Sequence, residues 1–184
     1  MKFTGPAGVL FAAAVFAASP GSFAGLDGNS RNPFAAPARA RIFLFARTDC
    51  PITNRYASEL QRLAKEFATR GVDFWLVYPD PAATPEAIRN HVAQYSFPGT
   101  VLRDPHHELV KRARATMAPE AAVFDPAGHL AYHGRIDDQW LNPGKARVAA
   151  QTHDLEDAIS AVLAGRPPAQ AETHAVGCWL ADVQ

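Results

Sequence analysis

The sequence predicts an α/β fold with a mixed β-sheet, and two observations carry that expectation. From Arg41 to Gly165, short apolar runs alternate with helical periodicity in the order strand, helix, strand, helix, strand, helix, hairpin, helix. Alternation of that kind calls for parallel strands with helices laid over the sheet, and the late hairpin adds an antiparallel edge. A chain of 184 residues, 48% of them hydrophobic, is long enough to bury the core of one such domain.

Arg41 to Phe45 (RIFLF) is a short apolar run bounded by polar residues and reads as a buried strand. Helical spacing follows: Ile52, Tyr56, Leu60, Leu63 and Phe67 share one face, Pro51 fits the first turn, Asp49 suits the N-cap and Gly71 the C-terminal end. Val72 to Tyr78 is a second strand, and Thr84-Pro85-Glu86 opens a helix with Ile88, Val92 and Tyr95 inward. Val101-Leu102 reads as a strand and His106 to Ala113 as a short helix. Ala121 to Phe124 and Leu130 to His133 form a hairpin about the Asp125-Pro126-Ala127-Gly128 turn. A loop from Asp137 to Gln151 leads to a last helix, capped by Asp154, carrying Leu155, Ile159, Val162 and Leu163, and ended by Gly165.

Both ends of the chain read differently. Lys2, the apolar run Gly8 to Ala18 and the small residues around Ala24 have the layout of a secretory leader over residues 1–24, cleaved after Ala24. The run is well short of the roughly 20 residues a membrane span needs, so no stable span is expected. Residues 25–40 are expected as a flexible lead-in, 41–165 as the domain and 166–184 as a tail. The expected location is across the inner membrane, periplasmic or extracellular, where cysteines are free to pair. Eighteen Lys+Arg balance 18 Asp+Glu, which removes the basic footprint of a nucleic-acid binder. Two cysteines exclude a disulfide-dense scaffold and a four-cysteine zinc site.

Those two cysteines, Cys50 and Cys178, are where chemistry concentrates. Cys50 falls at the junction of a strand and a helix N-terminus, where unpaired N–H groups and the positive end of the dipole favour the nucleophilic thiolate. Arg47 and Arg55 are close enough in sequence to add positive potential. The polar neighbours Thr48, Asp49 and Asn54 argue against burial in an apolar wall, where a cysteine would be inert.

The strand followed by Asp49-Cys50-Pro51-Ile52-Thr53-Asn54-Arg55 and an amphipathic helix resembles the active-site region of thioredoxin-fold proteins. Met117-Ala118-Pro119-Glu120 before Ala121 to Phe124 resembles the segment where that fold keeps its cis-proline, and the hairpin after it matches as well. Leu102-Arg103-Asp104-Pro105 is peroxiredoxin-like, and Thr173 to Cys178 resembles the terminal Gly-Cys segment of one peroxiredoxin-like subgroup. The resemblance, to redoxins of the alkyl hydroperoxide reductase and thiol-specific antioxidant family, covers roughly residues 41–165 plus that tail. It implies a thioredoxin-like fold, a central mixed sheet flanked by helices with a C-terminal tail. It also implies thiol redox activity without a cofactor, with Cys50 as nucleophile and Pro119 beside it shaping the groove for an extended substrate. By nearness in sequence alone, Thr53 or Thr48 is also expected to hydrogen-bond the sulfur.

Neither standard site of that resemblance is intact. Thr53 stands where a thioredoxin-type pair has its second cysteine, and Arg47 and Phe43 replace the threonine and proline of typical peroxiredoxins. Cys178 offers a resolving thiol on a tail able to fold back. A structural Cys50–Cys178 disulfide and two separate thiols are the other readings.

The seven histidines raise a metal hypothesis that their positions do not favour. His106 and His107 diverge on a helix, whereas His129, His133, His153 and His174 fall on turns, hairpin ends and the tail, where solvated histidine is usual. A copper-handling thioredoxin-fold protein would need a second cysteine where Asn54 stands. Three classes remain: an exported thiol oxidoreductase acting on peroxides or disulfides with an external thiol donor, a copper-handling protein using the same thiols, and a non-catalytic binding module.

Overall fold

The structure, a computed structural model, describes residues 21–180; most of the expected leader lies outside the described residues. The centre is a sheet of five longer strands: β3 (Ala40–Phe45), β4 (Val72–Tyr78), β5 (Thr100–Arg103), β7 (Glu120–Phe124) and β8 (Leu130–Gly134). Strand order is β5-β4-β3-β7-β8, with β3, β4 and β5 parallel and β7 and β8 antiparallel, so the sheet is mixed as expected. Two short strands, β1 (Phe23–Ala24) and β2 (Ser30–Arg31), extend it beyond β5.

Alternation along β3 divides the core. Ile42 and Leu44 face a cluster with Leu76 and Val123 from neighbouring strands and Leu60, Leu63, Phe67, Ile88 and Ile159 from helices. Phe43 and Phe45 face the other side with Val77, Leu102, Phe124, Leu109 and Val110. Burying both faces of β3 explains its unbroken apolar run, and each fully buried Leu, Ile or Phe there contributes about 1.5–3 kcal/mol relative to exposure.

The helices are α1 (Pro51–Arg55), α2 (Ala57–Phe67), α3 (Pro85–Tyr95), α4 (Glu108–Ala113) and α5 (Asp154–Leu163). The single helix expected after Cys50 is two, broken at Tyr56, although its five apolar residues are all buried as the spacing implied. Cys50, not Asp49, is the N-cap of α1, because Asp49 is held by Arg47 instead. Thr84 caps α3 by accepting from the Ala87 amide. His107 is the N-cap of α4, and Asp104 upstream of it holds the first turn by accepting from the Glu108 and Val110 amides at 2.8 and 3.0 Å. Inside the expected loop before α5 lies a small hairpin, β9 (Trp140–Asn142) and β10 (Lys145–Ala146).

Residues 25–40, expected as a flexible lead-in, are tied to the domain. The Phe34 ring stacks on Phe43 and meets Phe124 edge-on, with centroids 5.4 Å away in both cases, and Arg41 Nε donates to the Pro33 carbonyl at 3.0 Å. The expected cleavage position falls at the end of β1. The remaining strands are β6 (Met117–Ala118) and β11 (Cys178–Trp179), a separate antiparallel pair that brings the tail to the first helix. Among the described residues no helix is long and apolar enough to cross a membrane.

Candidate active site

Three segments meet at Cys50. The β3–α1 junction supplies Cys50 itself. The end of β6 and the residue after it supply Ala118 and Pro119, joined by a cis peptide bond as the resemblance implied. The tail supplies Cys178, placed opposite Ala118 by the β6–β11 register. Cys178 Sγ lies 2.7 Å from Cys50 Sγ, and Cys50 Sγ lies 3.0 Å from the Ala118 carbonyl. The two sulfurs are therefore neighbours, both present as free thiols.

The polarity of this sulfur chain follows from its partners. Burial and the neighbouring Cys50 push the Cys178 thiol up to about 12, so it keeps its proton at neutral pH. It donates to Cys50 Sγ, which in turn donates to the Ala118 oxygen. The expectation of an open, polar surrounding for Cys50 is corrected: its exposure is 0%. The cause is the tail, which lies over the sulfur although the neighbouring side chains in sequence are polar. No α1 amide reaches the sulfur, as Cys50 makes no side-chain cap bond.

The tail is fastened at several points. Its root is held by backbone bonds from the His133 amide to the Ala171 carbonyl and from the Thr173 amide to the His133 carbonyl, at 3.0 and 3.1 Å. Thr173 Oγ1 meets the Tyr132 hydroxyl at 2.6 Å and accepts from the Arg135 amide at 3.1 Å. Towards its end, Leu180 is buried and its amide donates to the Thr116 carbonyl at 3.0 Å. Arg47 donates to the Trp179 carbonyl at 3.1 Å while clasping Asp49 through both carboxylate oxygens at 2.9 and 2.8 Å. That guanidinium holds the Asp49 carboxyl below its usual value. Gly177 runs so close to the cis-proline segment that a Cβ there would fall on the Ala118 carbonyl.

Thr53 is the third residue of α1, the position from which a capping-box side chain reaches back to the N-cap. It is 1% exposed, and its hydroxyl has no hydrogen-bond partner among the described residues. Behind α1, Tyr78 OH meets His91 Nδ1 at 2.7 Å and His91 Nε2 meets Asn54 Oδ1 at 2.7 Å. The Asn54 oxygen only accepts, so Nε2 carries the proton, and burial lowers the histidine into its neutral form.

Sequence reasoning missed Glu120 and misplaced His133. Glu120 is buried directly after Pro119, and its Oε2 accepts from the Thr116 and Met117 amides at 2.8 and 3.0 Å, bracing the strand that receives the tail. The signal was a carboxylate opening an otherwise apolar strand. His133, expected to be solvated at the hairpin end, is 8% exposed and sits beside Glu120, because the tail root covers it.

Comparison with known proteins agrees with this fold. The family model described as AhpC/TSA family matches residues 32–133. A conserved protein from Geobacillus kaustophilus is similar in structure at a TM-score of 0.75 and 25% identity, over 88% of each chain. A protein from Sinorhizobium meliloti 1021 follows at 0.74 and 24%, over 86% of this chain and 88% of that one. A secreted disulfide oxidoreductase of Mycobacterium tuberculosis, homologous to DsbE of E. coli, shares the fold at 0.55 and 18%, over 78% and 94%. Among curated proteins, none matches the chain.

Proposed function

Since the chain belongs to the AhpC/TSA family and is a thioredoxin-fold, peroxiredoxin-like redoxin, we propose that it is an exported two-cysteine thiol oxidoreductase. In this reading Cys50 is the nucleophile and Cys178 the resolving thiol. The observation that carries it is the 2.7 Å separation of the two sulfurs, delivered by a dedicated strand pair. The secreted oxidoreductase among the structural relatives and the layout of residues 1–24 support export.

The cycle begins with the tail lifting, because the docked tail covers Cys50. With a disulfide substrate, Cys50 as thiolate attacks one sulfur, forming a mixed disulfide and expelling one substrate thiolate. The returning Cys178 thiol gives up its proton and attacks Cys50 Sγ. The Cys50–Cys178 disulfide forms and the second substrate thiol leaves. With a hydroperoxide, Cys50 takes the terminal oxygen as sulfenic acid, an alcohol or water departs, and attack by Cys178 releases water. An external dithiol then returns both cysteines to thiols and is itself oxidised. Arg47 and Phe43, standing where peroxiredoxins keep threonine and proline, favour the disulfide substrate. Pro119 and the neighbouring β6 backbone shape the substrate groove, while the Thr53 hydroxyl, which bonds nothing with the tail docked, is the group left to meet the reacting sulfur when the tail lifts.

The test is peptide mapping of reduced protein after one equivalent of oxidised glutathione or, separately, hydrogen peroxide. Formation of a reductant-reversible Cys50–Cys178 disulfide within the mixing time, and trapping of the Cys50 adduct by Cys178→Ser, is the expected result. If Cys50 stays a thiol under both oxidants, the enzyme reading fails and a binding module takes its place.

A further inference from the structure

A second cluster, separate from the sulfurs, lies where the tail root crosses β8. A cleft of about 410 Å³ is lined there by Arg114, Glu120, His133, Glu172 and His174, with threonines between them. His133 Nε2 is buried, has no hydrogen-bond partner among the described residues, and lies 3.3 Å from Glu172 Oε2. Its other ring nitrogen, Nδ1, faces Glu120 Oε1 at 3.2 Å.

We propose that His133 and Glu172 bind a divalent transition-metal cation of the zinc class and so clamp the tail root to the domain, with His174, which lines the same cleft without yet converging on them, turning in as the third ligand. Geometry, charge and ligand chemistry lead there. A tetrahedral centre with metal–ligand distances of about 2.0–2.1 Å holds its ligand atoms about 3.3 Å apart, the spacing of His133 Nε2 and Glu172 Oε2. A metal-bound histidine characteristically gives its second N–H to a carboxylate, which fixes ring and tautomer, and Glu120 is placed for that. Glu120 is in turn fixed by two backbone amides, so the orienting group is rigid.

Side chains alternate along an extended segment. Thr173 turns inward to Tyr132 and Arg135, which puts Glu172 and His174 together on the opposite face, towards the cleft. Charge agrees too: among these lining residues the carboxylates Glu120 and Glu172 outnumber the guanidinium of Arg114. Imidazole and carboxylate are ligands that zinc accepts. The acidic cluster of Glu59, His153 and Glu156 offers no comparable site, because Arg62 already bridges both glutamates.

The experiment uses the full chain carrying Cys50→Ser and Cys178→Ser, which removes the thiols as competing ligands. Zinc is titrated by calorimetry and cobalt(II) by visible absorption. One equivalent binding, with ligand-field bands and no thiolate charge-transfer band, is expected. Glu172→Gln and His174→Gln should each weaken zinc at least tenfold, Glu120→Gln about ten- to hundredfold, and His133→Gln should abolish binding. Glu59→Gln should change nothing. Glu172 and His174 are exposed, so their variants report on the site even where His133→Gln fails to fold. Absence of zinc binding, binding indifferent to Glu172→Gln, or binding lost with Glu59→Gln would overturn the assignment.

Discussion

Thr53 and Gly177 show how single residues divide between stability and chemistry at this site. A hydroxyl buried without a partner costs about 1–3 kcal/mol, so the Thr53 side chain opposes folding unless the reaction uses it. Thr53→Val should therefore raise the thermal midpoint, by about 1 kcal/mol of added stability, while slowing disulfide formation between the cysteines. A scanning-calorimetry trace and a stopped-flow oxidation run on the same sample decide it, and a stabilised variant of unchanged rate would remove Thr53 from the mechanism. Gly177 works through space alone. Adding a methyl against the Ala118 carbonyl is overpacking worth about 1–3 kcal/mol against the docked tail. In reduced protein, Gly177→Ala should speed iodoacetamide alkylation of Cys50 roughly ten- to hundredfold, read by peptide mapping. An unchanged rate would mean that the tail does not gate Cys50.

At the scale of elements, the tail is the part whose behaviour pH controls. Its Cys178 thiol, ordinarily at 9.0, is pushed up to about 12 when docked, so the docked state holds its proton more tightly than the released one. Linkage then keeps docking at full strength below pH about 9 and weakens it as pH climbs from there towards 12. Fluorine NMR on fluorotryptophan-labelled, reduced protein should show the Trp179 resonance moving over that window while the Trp75 resonance holds. Cys178→Ser should abolish the movement, and a Trp179 signal fixed to pH 12 would contradict the docking geometry. This tail also marks the limit of what the sequence made legible. β3, β4, α3, α5 and the β7–β8 hairpin were readable because their apolar residues repeat at helical or strand spacing, or because a turn signal bounds them. β1, β2, β6 and β11 are two residues long, too short for any period, and exist only through the partners that receive them. Cys50 was legible as a junction residue. Its burial was not, since the segment covering it lies 128 residues away, and His133 was hidden in the same way by the tail root that brings Glu172 beside it.

For the whole molecule, that separation turns a local bond into a global constraint. Joining Cys50 to Cys178 closes a loop of 128 residues, which in the chain-entropy model withdraws about 5 kcal/mol of disorder from the unfolded state. Most of the domain, from α1 to β11, lies inside that loop, so oxidation should stabilise the core as well as the tail. The reduced protein already docks its tail, so folded-state contacts differ little between the redox forms and the unfolded state carries the difference. We expect oxidised protein to unfold at higher urea concentration than reduced protein, by roughly 3–5 kcal/mol, and Cys178→Ser to match the reduced form with or without oxidant. Unfolding should be followed by circular dichroism under both conditions, with the slope compared as well as the midpoint. Equal midpoints would show that the pair does not join in the oxidised protein. A gain confined to the tail would instead show that the core unfolds independently of the strand that delivers Cys178.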